Sequence, residues 1–180
     1  MGELRFAAAV AVAALASVLP IPEAAADPAA DRMQADVAAL SGAAPREAGT
    51  AREAAAFDFI SNRLAQLGVA VGGEDVPLPN GRTSRNRWTS FGTGPVEILL
   101  GGHVDTLAVS PGADDNGSGV AVLLELARRL DDGSVRVPPG TTVTLVWFGA
   151  EERLAGRVAN DHHYGSRQLA AERLAAGQPP

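Results

Sequence analysis

Residues 101–119 constrain this chain more than any other stretch. They read Gly-Gly-His-Val-Asp-Thr-Leu-Ala-Val-Ser-Pro-Gly-Ala-Asp-Asp-Asn-Gly-Ser-Gly. His103, Asp105, Asp114, Asp115 and Asn116 sit among glycines, between a strand-like apolar run at 96–100 and a helix-like run at 120–130. Ligand-type side chains at the exit of an apolar strand point to a site rather than a core, and this stretch reads as half of a metal centre.

The flanks supply the scaffold. Residues 141–148 are β-branched and aromatic throughout, and with 96–100 they form the two runs most like buried strands. The helix expected over 118–130, with Val120, Leu123, Leu124 and Ala127 on one face, lies between them. Strand, helix, strand is a βαβ unit, which requires a right-handed crossover and a parallel pair. The fold class is therefore α/β.

Upstream, residues 27–44 are Ala-rich, with a weak helical pattern over 33–40. Thr50 has the character of an N-cap, with Glu53 three residues on completing a capping box. Ala56, Phe59, Ile60, Arg63, Leu64 and Leu67 then share a helical face that Gly68 terminates. Residues 69–71 suggest a short strand, 76–81 an extended segment and turn, and the polar run 84–93 an edge strand. A last helix is expected over 166–176.

With no Cys among the 180 residues, disulfides and thiolate metal sites are excluded, so any metal must use His, Asp and Glu. The formal charge is −6, every basic residue is Arg, and no basic block occurs, so nucleic acid is not an expected partner. Residues 1–26 read as a signal peptide: one Arg, a fourteen-residue apolar run at 6–19, two prolines, then Ala24-Ala25-Ala26 before Asp27. The run is short for a membrane span. The mature chain is thus expected to be secreted, without stable membrane association after cleavage. An uncleaved anchor is the alternative.

Two strand exits carry ligand-type residues. His103-Val104-Asp105 puts two side chains on one side of an extended segment. His103 can bind a metal through one ring nitrogen while Asp105 orients the ring through the other. An N-cap accounts for one acid in Asp114-Asp115, but adjacent carboxylates repel, so a nearby cation is the simpler account of both. Glu151-Glu152 repeats the pattern after 141–148. A solvated helix start would welcome them, whereas at a metal site one Glu binds and the other accepts a proton from water.

The combination resembles metallopeptidase family twenty-eight, the di-zinc exopeptidases that include secreted bacterial leucyl aminopeptidases. The matching residues are Gly102-His103-Val104-Asp105-Thr106, Gly112-Ala113-Asp114-Asp115-Asn116-Gly117-Ser118-Gly119 and Phe148-Gly149-Ala150-Glu151-Glu152. Arg46, Ala48-Gly49-Thr50 and residues 64–68 also look like the family's start. Family twenty pairs similar motifs but shows Asp-x-Lys-Gly at the bridging position, and this chain has no Lys. The resemblance implies a three-layer αβα sandwich with a mostly parallel central sheet. It also implies two zinc ions, with His103 on one, Glu152 on the other and the Asp115 carboxylate bridging both, and a cis Asp115–Asn116 peptide bond. Glu151 would be the general base, with Asp105 and Asn116 supporting the ligands. The implied activity is removal of N-terminal residues from peptides by a monomer. Carboxypeptidase, glutaminyl cyclase and a non-catalytic remnant remain as alternatives.

The chain also departs from that family. A further Asp and a later His are expected as ligands and are not found. Gly165-Ser166 comes late, after an insertion around 158–164 that contains His162 and His163, which offer themselves as substitute ligands. The expectation is a C-terminally truncated, N-terminal portion of a peptidase domain over 27–180, poorly stable and inactive by itself.

Overall fold

The computed structural model describes residues 27–42, 44–154, 156 and 161–178. The expected signal segment and residues 158–160 of the insertion lie outside them. In chain order the elements are α1 (Pro28–Ser41), α2 (Ala51–Leu67), β1 (Gly72–Pro77), β2 (Thr83–Gly92), β3 (Val96–His103), α3 (Gly119–Asp131), β4 (Thr141–Phe148) and α4 (Tyr164–Ala175).

α2 forms where its caps place it. The Thr50 hydroxyl accepts the Glu53 N–H at 3.3 Å, and Gly68 closes the helix at φ 75°. The return bond of the capping box goes one residue further back, from Gly49 N–H to Glu53 Oε2 at 2.7 Å. The helix buries Phe57, Ile60 and Leu64 completely, each worth about 1.5–3 kcal/mol.

The sheet order is β1-β2-β4-β3. β3 and β4 pair in parallel, as the βαβ reading requires, with Ile98 opposite Val143 and His103 opposite Phe148. β1–β2 and β2–β4 are antiparallel. Among the described residues the sheet is therefore mixed, and the mostly parallel arrangement expected above holds for one pair.

Alternation along β4 separates the layers. Val143, Leu145 and Trp147 join a core with Leu40 of α1, Phe57, Ile60 and Leu64 of α2, and Val120, Leu123 and Leu124 of α3. On the other face Thr144 Oγ1 donates to Glu97 at 2.6 Å, and Glu97 in turn pairs with Arg173 of α4. Helices thus cover both faces, giving three layers.

Three expectations are corrected. The strand placed at 69–71 begins at Gly72. The polar run at 84–93 lies inside the sheet, paired on both sides, because its polar side chains find partners: Ser84 with Glu53, Asn86 with Glu74 and the Gly165 carbonyl, Thr89 with the Ala70 carbonyl. Conversely, the apolar run 96–100 is not enclosed by the described residues. β3 has β4 as its single neighbour among the described residues, and Val96, Ile98, Leu99 and Leu100 are exposed.

Candidate metal centre

His103 is the last residue of β3, and the parallel ladder continues one step beyond it through Val104 N–H to the Phe148 carbonyl at 2.8 Å. Its Nδ1 lies 3.1 Å from the Asp105 main-chain carbonyl and 3.7 Å from Asp105 Oδ1. A carbonyl can only accept, so Nδ1 carries hydrogen and Nε2 is the atom turned to the site, 2.9 Å from Asp115 Oδ1.

Asp105 is fully buried, and its carboxylate does something the sequence did not suggest. Oδ1 accepts the Glu151 N–H at 3.0 Å, and Oδ2 accepts the Glu152 N–H at 2.9 Å. One residue from the first strand exit thereby fixes the main chain of the second.

The turn Ala113–Ser118 presents Asp115. Its angles depart from helical at Asp115 and Asn116, and the Asp115–Asn116 peptide bond is cis, as the resemblance implied. Asn116 Oδ1 accepts the Gly119 N–H at 3.0 Å, so its side chain secures the start of α3. Gly112 enters the turn at φ 64°, and a Cβ there would lie 2.1 Å from Thr106 Cγ2.

Arg46 holds this loop from behind. It is buried, and its guanidinium donates to the carbonyls of Val104 at 2.9 Å, Leu40 at 2.9 Å, Pro111 at 2.8 Å and Gly112 at 3.1 Å. Its main chain exchanges bonds with Thr106. A planar donor fork satisfies several carbonyls at once where no single helix or strand could.

After β4 the chain turns through Gly149 and Ala150, the latter at φ 56°. A Cβ at Gly149 would lie 2.2 Å from Ser84 Oγ and 2.8 Å from Glu53 Oε1, so only glycine fits. Glu53 is buried beneath this turn. Burial pushes its carboxyl up to about 7, although hydrogen bonds from Ser84, Gly49 and Ala150 act in the opposite direction.

Glu151 and Glu152 then diverge. Both oxygens of Glu151 are held by Ser166 at the start of α4: the N–H donates to Oε1 at 2.7 Å and the hydroxyl to Oε2 at 2.7 Å. Glu152 turns the other way. One ligand atom each from His103, Asp115 and Glu152 lie within 4.8 Å of one another. That donor set, one imidazole and two carboxylates, suits zinc.

The electrostatics fit a cation. Burial and then the Asp115 charge push the Glu152 carboxyl upward. Burial opposes the charged form of His103, but the hydrogen bond and charge of Asp105, followed by Asp115, outweigh it and hold the imidazole at about 9. A bound metal would relieve the same repulsion.

Of the residues singled out in the sequence, His103, Asp115 and Glu152 converge, Glu151 stands beside them, and Asp105 and Asn116 brace the main chain around them. Asp114 is exposed and outside the group. His162 and His163 do not join it either. Their rings make an edge-on contact at 4.1 Å, and the His163 N–H donates to the Glu151 carbonyl at 3.1 Å. The structural roles of Arg46, Glu53 and Ser166 escaped the sequence. Glu53 was visible as a cap alone, and Ser166 was visible as a late Gly-Ser.

An α/β scaffold thus brings one His, one Asp and one Glu together beyond two parallel strand exits, the place where sites form in such sheets. Residues 88–178 match Peptidase family M28, and the chain belongs to that family. It is 39% identical over 69 residues to an aminopeptidase of Bacillus subtilis, YwaD, a match covering 38% of this chain and 14% of YwaD. Porphyromonas gingivalis glutaminyl cyclase superposes with a TM-score of 0.69 at 30% identity, covering 82% of this chain and 55% of the cyclase. A Zn-dependent exopeptidase from Parabacteroides distasonis gives 0.62 at 27% identity, covering 78% and 55%. The chain thus spans little more than half of either solved structure.

Proposed function

We propose that the protein is a secreted, zinc-dependent exopeptidase that removes N-terminal residues from peptides. The observation that carries this reading is the division of labour at the β4 exit: Glu152 points into the ligand group, while Glu151 stays outside it with both oxygens oriented by Ser166.

His103 would hold one zinc, Glu152 a second, and Asp115 both. Bound zinc supplies a Lewis acid and lowers the pKa of water toward neutrality. Glu151 accepts the proton of the attacking water and returns it to the departing amine. Ser166 keeps that carboxylate in one orientation. Asp105 keeps Glu151 and Glu152 in register through their N–H groups. Support for export comes from the sequence of residues 1–26.

The test is zinc content together with hydrolysis of peptides with free and blocked N-termini. The reading predicts zinc-dependent release of N-terminal residues, loss of turnover in Glu151→Gln, and retention of zinc in that variant. Full turnover in E151Q, or cleavage of blocked peptides at the same rate, would sink it. A second reading, cyclisation of N-terminal Gln, is favoured by the superposition on the Porphyromonas cyclase. Ammonia release from a Gln-initiated peptide without peptide cleavage distinguishes it.

A further inference from the structure

Beside the metal centre lies a cleft of about 740 Å³, on the size scale of small-ligand sites. Asp105 and Glu152 line it together with Glu47, Arg82 and Arg153. Several arginines elsewhere are engaged, such as Arg46 with carbonyls, Arg32 with Glu125 and Arg63 with Asp36, while Arg52 and Arg136, away from the cleft, have no such partner among the described residues. The guanidiniums of Arg82 and Arg153 have no hydrogen-bond or ion-pair partner among the described residues.

The two come from different parts of the fold. Arg82 is in the β1–β2 turn, its stem packed over Gly49, where an added Cβ would lie 2.6 Å from its own Cβ. Arg153 follows Glu152 directly. Of the acids facing the cleft, Asp105 is committed to the N–H groups of Glu151 and Glu152. Glu152 belongs to the metal centre, and Glu47 is the remaining acid of the lining. A metal ion would neutralise the acids at the Glu152 end, and the cleft then offers two donor forks suited to carboxylate.

We infer that this cleft recognises a carboxylate of the peptide substrate through Arg82 and Arg153, so that the site selects short peptides with a free C-terminus or peptides with an acidic side chain. This deepens the exopeptidase reading and rests on it for the word substrate, but the binding itself is independent of turnover.

Three peptides separate the sources of the carboxylate: Leu-Gly-Gly as free acid, Leu-Gly-Gly-amide and Leu-Gly-Glu-amide. Their affinities for the full chain, with Zn²⁺ added, are measured by calorimetry, and the arginine Nε–H resonances are followed by NMR. Either carboxylate-bearing peptide is expected to bind roughly ten-fold tighter than the neutral amide and to move the Arg82 and Arg153 signals. Preference for the free acid names the C-terminus, and preference for the Glu peptide names the side chain. In Arg82→Gln with Arg153→Gln, both exposed positions, the discrimination between acid and amide should collapse. Equal affinity for all three peptides, no binding of any, or discrimination surviving the double substitution would overturn the inference. If the acid is preferred but no bond is cleaved, the carboxylate site stands and the exopeptidase reading fails.

Discussion

Ser166 grips both carboxylate oxygens of Glu151, one through its N–H and one through its hydroxyl, each at 2.7 Å. Ser166→Ala removes the hydroxyl bond and keeps the main-chain one. The expected result is a fall in kcat of roughly ten-fold with KM little changed, since orientation of the base matters to the reacting state more than to binding. A change confined to KM would remove Ser166 from this role.

Asp105 joins the two strand exits with an acceptor at each oxygen. Asp105→Asn turns one acceptor into a donor facing an N–H, so either the Glu151 or the Glu152 amide loses its partner. Zinc affinity is expected to drop by roughly 10–100-fold, the range for residues that orient ligands. Competition with a chromophoric chelator reads this directly, and unchanged affinity would contradict it.

Glu53 makes stability depend on pH in an unusual direction for a carboxyl. Unfolded, it loses its proton near 4.5; folded, near 7. Between those values the folded chain holds the proton and the unfolded chain does not, so stability falls as pH rises through this window, by on the order of 3 kcal/mol. Glu53→Gln cannot titrate, and its stability relative to the parent should improve from pH 5 to pH 8. Urea unfolding at both values tests this, and parallel profiles would argue against it.

Gly149→Ala places a methyl group against Ser84 Oγ and Glu53 Oε1. The expected loss is about 1–3 kcal/mol of stability, by overpacking. Because the turn leads into Glu151, zinc affinity should fall in parallel. A variant as stable as the parent would mean the turn relaxes freely.

Export predicts a mature N-terminus at Asp27. Sequencing the product recovered outside the cells checks it, and a product still beginning at Met1 would favour the uncleaved anchor.

Much of the site was legible because ligand residues cluster in short motifs at strand exits. His103, Asp115 and Glu152 announce themselves by residue type and spacing. Arg46 does not: a single Arg before a helix looks like any solvated cation until four carbonyls surround it. Ser166 was hidden for a similar reason, since its partner is fifteen positions away across an insertion. The fold was legible where periodicity was strong, as in α2 and β4. It misled where polarity stood in for position. β2 looked like an edge because it is polar, yet its hydroxyls and amide are consumed by neighbours within the interior.

The Asp105 link has a consequence for metal binding. Its two oxygens accept the Glu151 and Glu152 N–H groups, while its main-chain carbonyl faces His103 Nδ1. The two strand exits are therefore clamped together before any ion arrives. An ion held by His103 and Glu152 would meet a frame already set, and little of its binding energy would go into assembling the ligands.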